Sequence, residues 1–146
     1  MNLYLDTSAL VKCYVAERGS EEAFDLTMSA EIVASSLISQ TEVAAAIAKA
    51  VRLGWLTSED GRIAQRAFLS KWTDFFRIPV TETLLSRADS LAWSYALRAH
   101  DAVQLASALT WQESLGAPVT LATFDRELWQ AAPKASLHVW PARLTR

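Results

Sequence analysis

Four acidic residues in this chain stand where their side chains can meet. Asp6 follows the apolar run Asn2-Leu3-Tyr4-Leu5, Asp125 follows Val119-Thr120-Leu121-Ala122-Thr123, and each precedes a helical segment. Short apolar runs that lead into a helix read as buried strands. Both aspartates therefore fall at the carboxyl ends of strands, where open α/β sheets keep their ligand crevice. Asp101 opens a helix, from which its side chain can reach the same crevice. Glu42 is the only charge in Thr41-Glu42-Val43-Ala44-Ala45-Ala46-Ile47-Ala48, a setting that calls for a half-buried carboxylate with a partner.

Each acid alone has an ordinary explanation. An aspartate at a helix start is an N-cap, and Asp101 with Gln104 three residues on imitates a capping box. Glu42 alone could be a solvated helix residue. Caps need no common location, however, and convergence of the four is what suggests chemistry. Four carboxylates cannot share a pocket as bare anions, because like charges raise one another's pKa. A divalent cation removes the conflict, and all-oxygen ligation suits Mg2+ or Mn2+. Such a site binds a phosphate oxygen, activates water and stabilises a leaving oxygen, the needs of phosphodiester hydrolysis.

Other chemistries fit less of the sequence. A lone cysteine, Cys13, excludes an internal disulfide and a cysteine zinc site, and reads as a small buried residue. With two histidines in the chain, His100 beside Asp101 is a weak match to a metal-binding His-Asp pair. No Gly-x-Ser-x-Gly elbow supports a Ser-His-Asp hydrolase. An aspartyl phosphotransferase built on Asp6-Thr7-Ser8 leaves Glu42 unexplained. A net charge of -2 argues against holding nucleic acid by a general basic field, so a polyanion must be met locally. The chain has no apolar run of about 18 residues and no signal-peptide pattern at its start, so a soluble, cytoplasmic protein without membrane contact is expected.

The elements that must position the acids follow from periodicity and punctuation. A strand at 2–5 turns into a helix, a short helix runs over 20–28, and a second strand covers 32–35. A long helix from 37 carries Val43, Ile47, Ala50 and Val51 on one stripe and stops at Gly54. Thr57-Ser58-Glu59-Asp60 caps another, with Ile63, Ala67, Phe68, Trp72 and Phe75 on its apolar face. These two helices read as an antiparallel hairpin, with Phe68, Trp72 and Phe75 partly exposed as a surface for a protein partner. Ile78-Pro79-Val80 is an edge-like strand, helices cover 81–98 and 101–115, a strand covers 119–123, a short helix runs to 132, and 137–140 forms a last strand. Most of the six tryptophans read as core or interface anchors. With four glycines, four prolines, no repeat and no linker, residues 1–146 form one domain: α/β, with a mostly parallel central sheet flanked by helices and a protruding helical hairpin.

Leu5-Asp6-Thr7-Ser8-Ala9-Leu10-Val11-Lys12, Ser39-Gln40-Thr41-Glu42-Val43, Arg98-Ala99-His100-Asp101-Ala102-Val103-Gln104-Leu105-Ala106 and Ala122-Thr123-Phe124-Asp125-Arg126-Glu127-Leu128 closely resemble, in order and spacing, the four motif regions of PIN-domain ribonucleases. They are most similar to the VapC-type toxins of toxin–antitoxin pairs. The resemblance implies a PIN-like nuclease domain and an endoribonuclease with Mg2+ or Mn2+. It makes Asp6 and Asp101 direct metal ligands, with Glu42 and Asp125 completing the acidic cluster and Ser8 and Thr123 steadying the carboxylates. It also implies an RNA substrate, a homodimer and a cognate antitoxin docking on an apolar groove for which Val51, Trp55, Phe68 and Trp72 are candidates. A PIN-like module that binds RNA or protein without cutting is the alternative; loss of an acid would favour it, and all four are present.

Overall fold

The computed structural model describes residues 1–145. Its core is a five-stranded sheet in the order β3-β2-β1-β4-β5, and every pairing is parallel. The strands are β1 (Asn2–Leu5), β2 (Ile32–Ser36), β3 (Phe76–Ile78), β4 (Val119–Ala122) and β5 (His138–Trp140). The helices are α1 (Thr7–Lys12), α2 (Ser20–Ser29), α3 (Ser39–Arg52), α4 (Ser58–Trp72), α5 (Glu82–Tyr95), α6 (Ala99–Leu115) and α7 (Arg126–Lys134).

β1 explains why its run is apolar without alternation. It lies between β2 and β4, and its pleat sends Leu3 and Leu5 into one cluster while Tyr4 enters another, all three fully buried. Leu3 and Leu5 pack with α1, α3 and α4; Tyr4 packs with α5, α6 and α7. The chain moves outward from β1 through β2 to β3, then returns to the other side of β1 for β4 and β5. Strand order therefore reverses between β1 and β4, and the crevice belongs at their carboxyl ends.

The hairpin of α3 and α4 forms as expected, with Thr57 Oγ1 accepting from Asp60 N at 3.1 Å to cap α4. A Cβ on Gly61 would come within 2.7 Å of Val51 Cγ2, so only glycine lets the helices approach this closely. The buried face of α4 differs from the expected one: it is Gly61, Ala64, Phe68 and Trp72, while Ile63 and Ala67 face solvent. Phe68 and Trp72 are core, at 1% and 2% exposure, not a partner surface. Their rings pack at a tilt of 44° with centroids 5.2 Å apart, and Trp72 Nε1 donates to Gln40 Oε1 at 2.8 Å. Phe75 is half-buried, and Trp55, at the hairpin tip, is 72% exposed.

Element ends shift where tertiary contacts outweigh local signals. The edge strand lies at 76–78, so Pro79, which cannot donate to a ladder, follows it rather than sitting inside it. α5 ends at Tyr95, where Ala96 turns left-handed at φ 52°, and α6 begins two residues before Asp101. Cys13 is half-buried rather than buried, its Sγ 3.7 Å from Ala9 O. Of the tryptophans, Trp111 is buried and Trp93 is 91% exposed. Among the described residues no helix is long and apolar enough to cross a membrane.

Candidate active site

The crevice at the β1–β4 seam is built around Asp6, which ends β1 and caps α1. Its Oδ1 accepts from Ala9 N at 3.0 Å and from Ser8 Oγ at 2.7 Å; its Oδ2 accepts from Thr123 Oγ1 at 2.7 Å. The two hydroxyls are themselves held by the loop after β4: Ser8 Oγ accepts from Phe124 N at 2.8 Å and Thr123 Oγ1 from Asp125 N at 3.0 Å. The β1–α1 and β4–α7 turns are thus stitched through one carboxylate. Burial pushes the Asp6 carboxyl up from 3.8 to about 6; the hydrogen bonds from Thr123, Ala9 and Ser8 oppose the rise, and the Asp101 carboxylate adds to it.

Glu42 lies in the first turn of α3, half-buried as its alanine-rich surroundings suggest. Its partner is Gln104 of α6, whose Nε2 donates to Glu42 Oε1 at 2.9 Å and to Ser39 Oγ at 3.0 Å. Gln104 Oε1 accepts from the buried Tyr4 hydroxyl at 2.6 Å. The Asp101–Gln104 capping box does not form, because Asp101 sits within the first turn and Gln104 is committed to this network. Sequence reasoning treated Gln104 only as a cap; its signal was its place three residues after an acid on an otherwise apolar helix.

Asp101, 2% exposed, faces Asp125, the residue that caps α7 through a 2.9 Å bond from Leu128 N. Burial raises the Asp101 pKa and the Asp125 carboxylate raises it further, against His100 and Arg98. Two residues that the sequence did not single out complete this corner. Glu127 brings a carboxylate oxygen into a cluster with Asp101 and Asp125 whose ligand atoms all lie within 4.8 Å of one another. Arg98 lies across the three: Nη2 is 3.2 Å from Asp125 Oδ2, and Nε is 3.6 Å from Asp101 Oδ2 and 4.0 Å from Glu127 Oε2.

All four expected acids line one cavity of about 530 Å³, with Lys12 and Lys49 at its walls. The donor set fits a hard divalent cation. Asp6, Glu42, Asp101 and Asp125 offer carboxylate oxygens, and Asp101 Oδ2 is sealed from solvent without accepting a hydrogen bond, a cost that a ligated ion would remove. His100 also lines the cavity, its Nε2 3.4 Å from Asp101 Oδ1.

Comparison with known proteins gives a consistent picture. A family model described as PIN domain matches residues 3–134. Ribonuclease VapC45 of Mycobacterium tuberculosis (strain CDC 1551 / Oshkosh) is 37% identical over 143 residues, covering 97% of this chain and 96% of the relative. Among solved structures, VapBC2 from Rickettsia felis bound to a DNA fragment from their promoter matches with a TM-score of 0.63 at 16% identity, over 95% of this chain and 97% of that one. A toxin-antitoxin complex from Klebsiella pneumoniae matches with a TM-score of 0.58 at 21% identity, over 86% and 87%. At those identities the two structures speak for the fold.

Proposed function

The chain belongs to the PIN-domain family, and from that premise we propose that it is a metal-dependent endoribonuclease, the toxin of a toxin–antitoxin pair. The observation that carries the reading is the meeting of Asp6, Glu42, Asp101 and Asp125 in one open cavity at the strand-order switch, with Asp101 Oδ2 accepting no hydrogen bond. Asp6 and Asp101 would hold the ion; Glu42 and Asp125 complete the negative wall, and Glu127 joins Asp101 and Asp125 at one corner. When bound, Mg2+ or Mn2+ neutralises the carboxylates, draws in a phosphate oxygen and makes water a better nucleophile. Ser8 and Thr123 hold the Asp6 carboxylate in a fixed orientation, and Gln104 does the same for Glu42.

The partner of the reading is an antitoxin, as the similarity to a VapC ribonuclease suggests. An arginine delivered by such a protein would pair with the cavity carboxylates and compete with the ion. A homodimer in the cytoplasm belongs to the same reading, and light scattering of the purified protein tests the dimer.

The direct test is cleavage of total RNA by purified protein. Mg2+ and Mn2+ are expected to support cutting, Ca2+ to support little because its loose coordination places water poorly, and EDTA to abolish it. Asp101→Asn keeps the side-chain volume and is expected to reduce cutting at least 100-fold without unfolding the chain. Full activity in EDTA, or in Asp101→Asn, sinks the carboxylate site. Growth arrest unaffected by any small protein encoded beside this one removes the toxin–antitoxin assignment and leaves the nuclease standing.

A further inference from the structure

A second cavity adjoins the first and reverses its charge. It has a volume of about 520 Å³ and shares Lys12 and Phe124 with the acidic cavity as a common partition. Among the described residues Lys12, Arg18, Arg126 and Arg143 line it against a single carboxylate, Glu22. Arg126 and Arg143 pair with no carboxylate among the described residues. Phe124 and Trp140, packed edge to face at 5.6 Å, give the cavity an aromatic wall.

The partition is tied to its surroundings by several contacts. Lys12 Nζ sits 4.5 Å over the Phe124 ring, donates to Arg18 O at 2.7 Å and pairs with Glu17 at 3.3 Å. On the far side Gly19, at φ 88°, brings the start of α2 so close that a Cβ would lie 3.1 Å from Phe124 Cε1. Lys12 thus faces carboxylates on one side and guanidinium groups on the other, in a chain whose net charge is -2.

We infer that this basic, aromatic-walled cavity holds the single-stranded RNA segment flanking the bond that is cut, its phosphates meeting Arg18, Arg126 and Arg143 and a base lying against the aromatic wall. The inference rests on the nuclease reading and names its substrate class. An acidic cavity repels phosphates until a cation is present, so the strand must be held elsewhere, and the adjoining cavity of opposite charge is placed to do so. Its aromatic wall suits unstacked bases, which bind on aromatic rings, and not a duplex, whose bases are stacked inside.

Fluorescence anisotropy of a labelled mixed-sequence RNA oligonucleotide, in EDTA, separates this inference from the catalytic one because no cutting is involved. Against wild type, Arg126→Ala/Arg143→Ala is expected to weaken single-strand binding at least tenfold. The slope of log affinity against log salt should shrink by about 1.4, or about 0.7 for each of two phosphate contacts. Arg52→Ala/Arg62→Ala, which removes the same charge from the exposed helical hairpin, is expected to change neither quantity by as much as twofold. Wild type should prefer the single strand over a duplex of the same sequence. Equal losses in both double variants, no loss in either, equal binding of duplex, or a groove variant that keeps RNA but no longer binds the antitoxin would each overturn the inference. Absence of metal-dependent cleavage alongside the expected binding pattern would instead remove the nuclease reading.

Discussion

Gln104 donates from Nε2 to Glu42 Oε1 at 2.9 Å, joining a helix on one face of the sheet to a helix on the other. The same amide accepts the Tyr4 hydroxyl, so one side chain serves both the acidic cavity and the buried core. Gln104→Met keeps the bulk but leaves Tyr4 Oη without an acceptor. It is expected to cost about 2 kcal/mol, since an orphaned buried polar group costs about 1–3 kcal/mol. Thermal unfolding measures this, and an unchanged Tm would mean the network contributes nothing net. Activity should fall too, because Glu42 loses its fixed orientation.

The Asp6 carboxyl gives a pH dependence with a definite sign. Its pKa is 3.8 in the unfolded chain and about 6 when folded, raised by burial. Between those values the folded chain binds more protons than the unfolded one, so stability falls as pH rises through the window and levels off above it. The loss is of the order of 3 kcal/mol at about 1.4 kcal/mol per unit. In EDTA, Asp6→Asn should therefore gain on wild type in Tm from about pH 4 to pH 6.5, and Mg2+ should close the gap at pH 7. A gap that narrows as pH rises would show that the hydrogen bonds to Asp6 outweigh its burial.

Arg98 occupies the space between three carboxylates that a cation would also bridge. Arg98→Ala is expected to tighten Mg2+ binding by roughly threefold or more, as removal of a competing charge should. The metal-free Tm should change little, because the Arg98 side chain is 65% exposed and its ion pairs are screened by solvent. Isothermal titration at fixed ionic strength checks the first, and weaker Mg2+ binding would mean that Arg98 organises the site instead of competing for it.

Burial separates two tryptophans that sequence patterning grouped together. Trp72→Ala removes a core ring and its bond to Gln40, and is expected to cost about 3–5 kcal/mol. Trp55→Ala should leave Tm within a degree or two and weaken antitoxin binding by about 2 kcal/mol if that partner covers the hairpin tip. Calorimetric melting and a binding titration of both variants distinguish a fold residue from a surface anchor.

β1, β4 and the acids beyond them were legible because each of these two strands is short, apolar and followed at once by a polar residue, which marks the carboxyl edge of a parallel sheet. Asp6 and Asp125 are caps as well as cavity acids, so the simple reading and the chemical one hold together. The buried face of α4 was not legible. Gly61 lets the two helices close up and rotates α4 so that Ile63, the more apolar residue, faces water. Glu127 and Arg98 escaped notice because each is an exposed charge near a helix start, where such residues are common; Arg98 meets Asp101 three residues on along its own helix start, and the turn of α7 toward α6 brings Glu127 to the same corner. The second cavity draws on Lys12, Arg18, Arg126 and Arg143, too far apart in the chain to read as a basic patch.

The bond from Thr123 Oγ1 to Asp6 Oδ2 spans 117 positions of sequence. A ribosome therefore delivers the first acid long before the residues that orient it, and the fourth acid arrives later still. A chain cut short ahead of β4 would carry Asp6, Glu42 and Asp101 yet lack the strand against which β1 must close. Translation itself thus postpones the assembly of the cavity until most of the polypeptide has been made, and an incomplete product would hold its acids without the frame that brings them together.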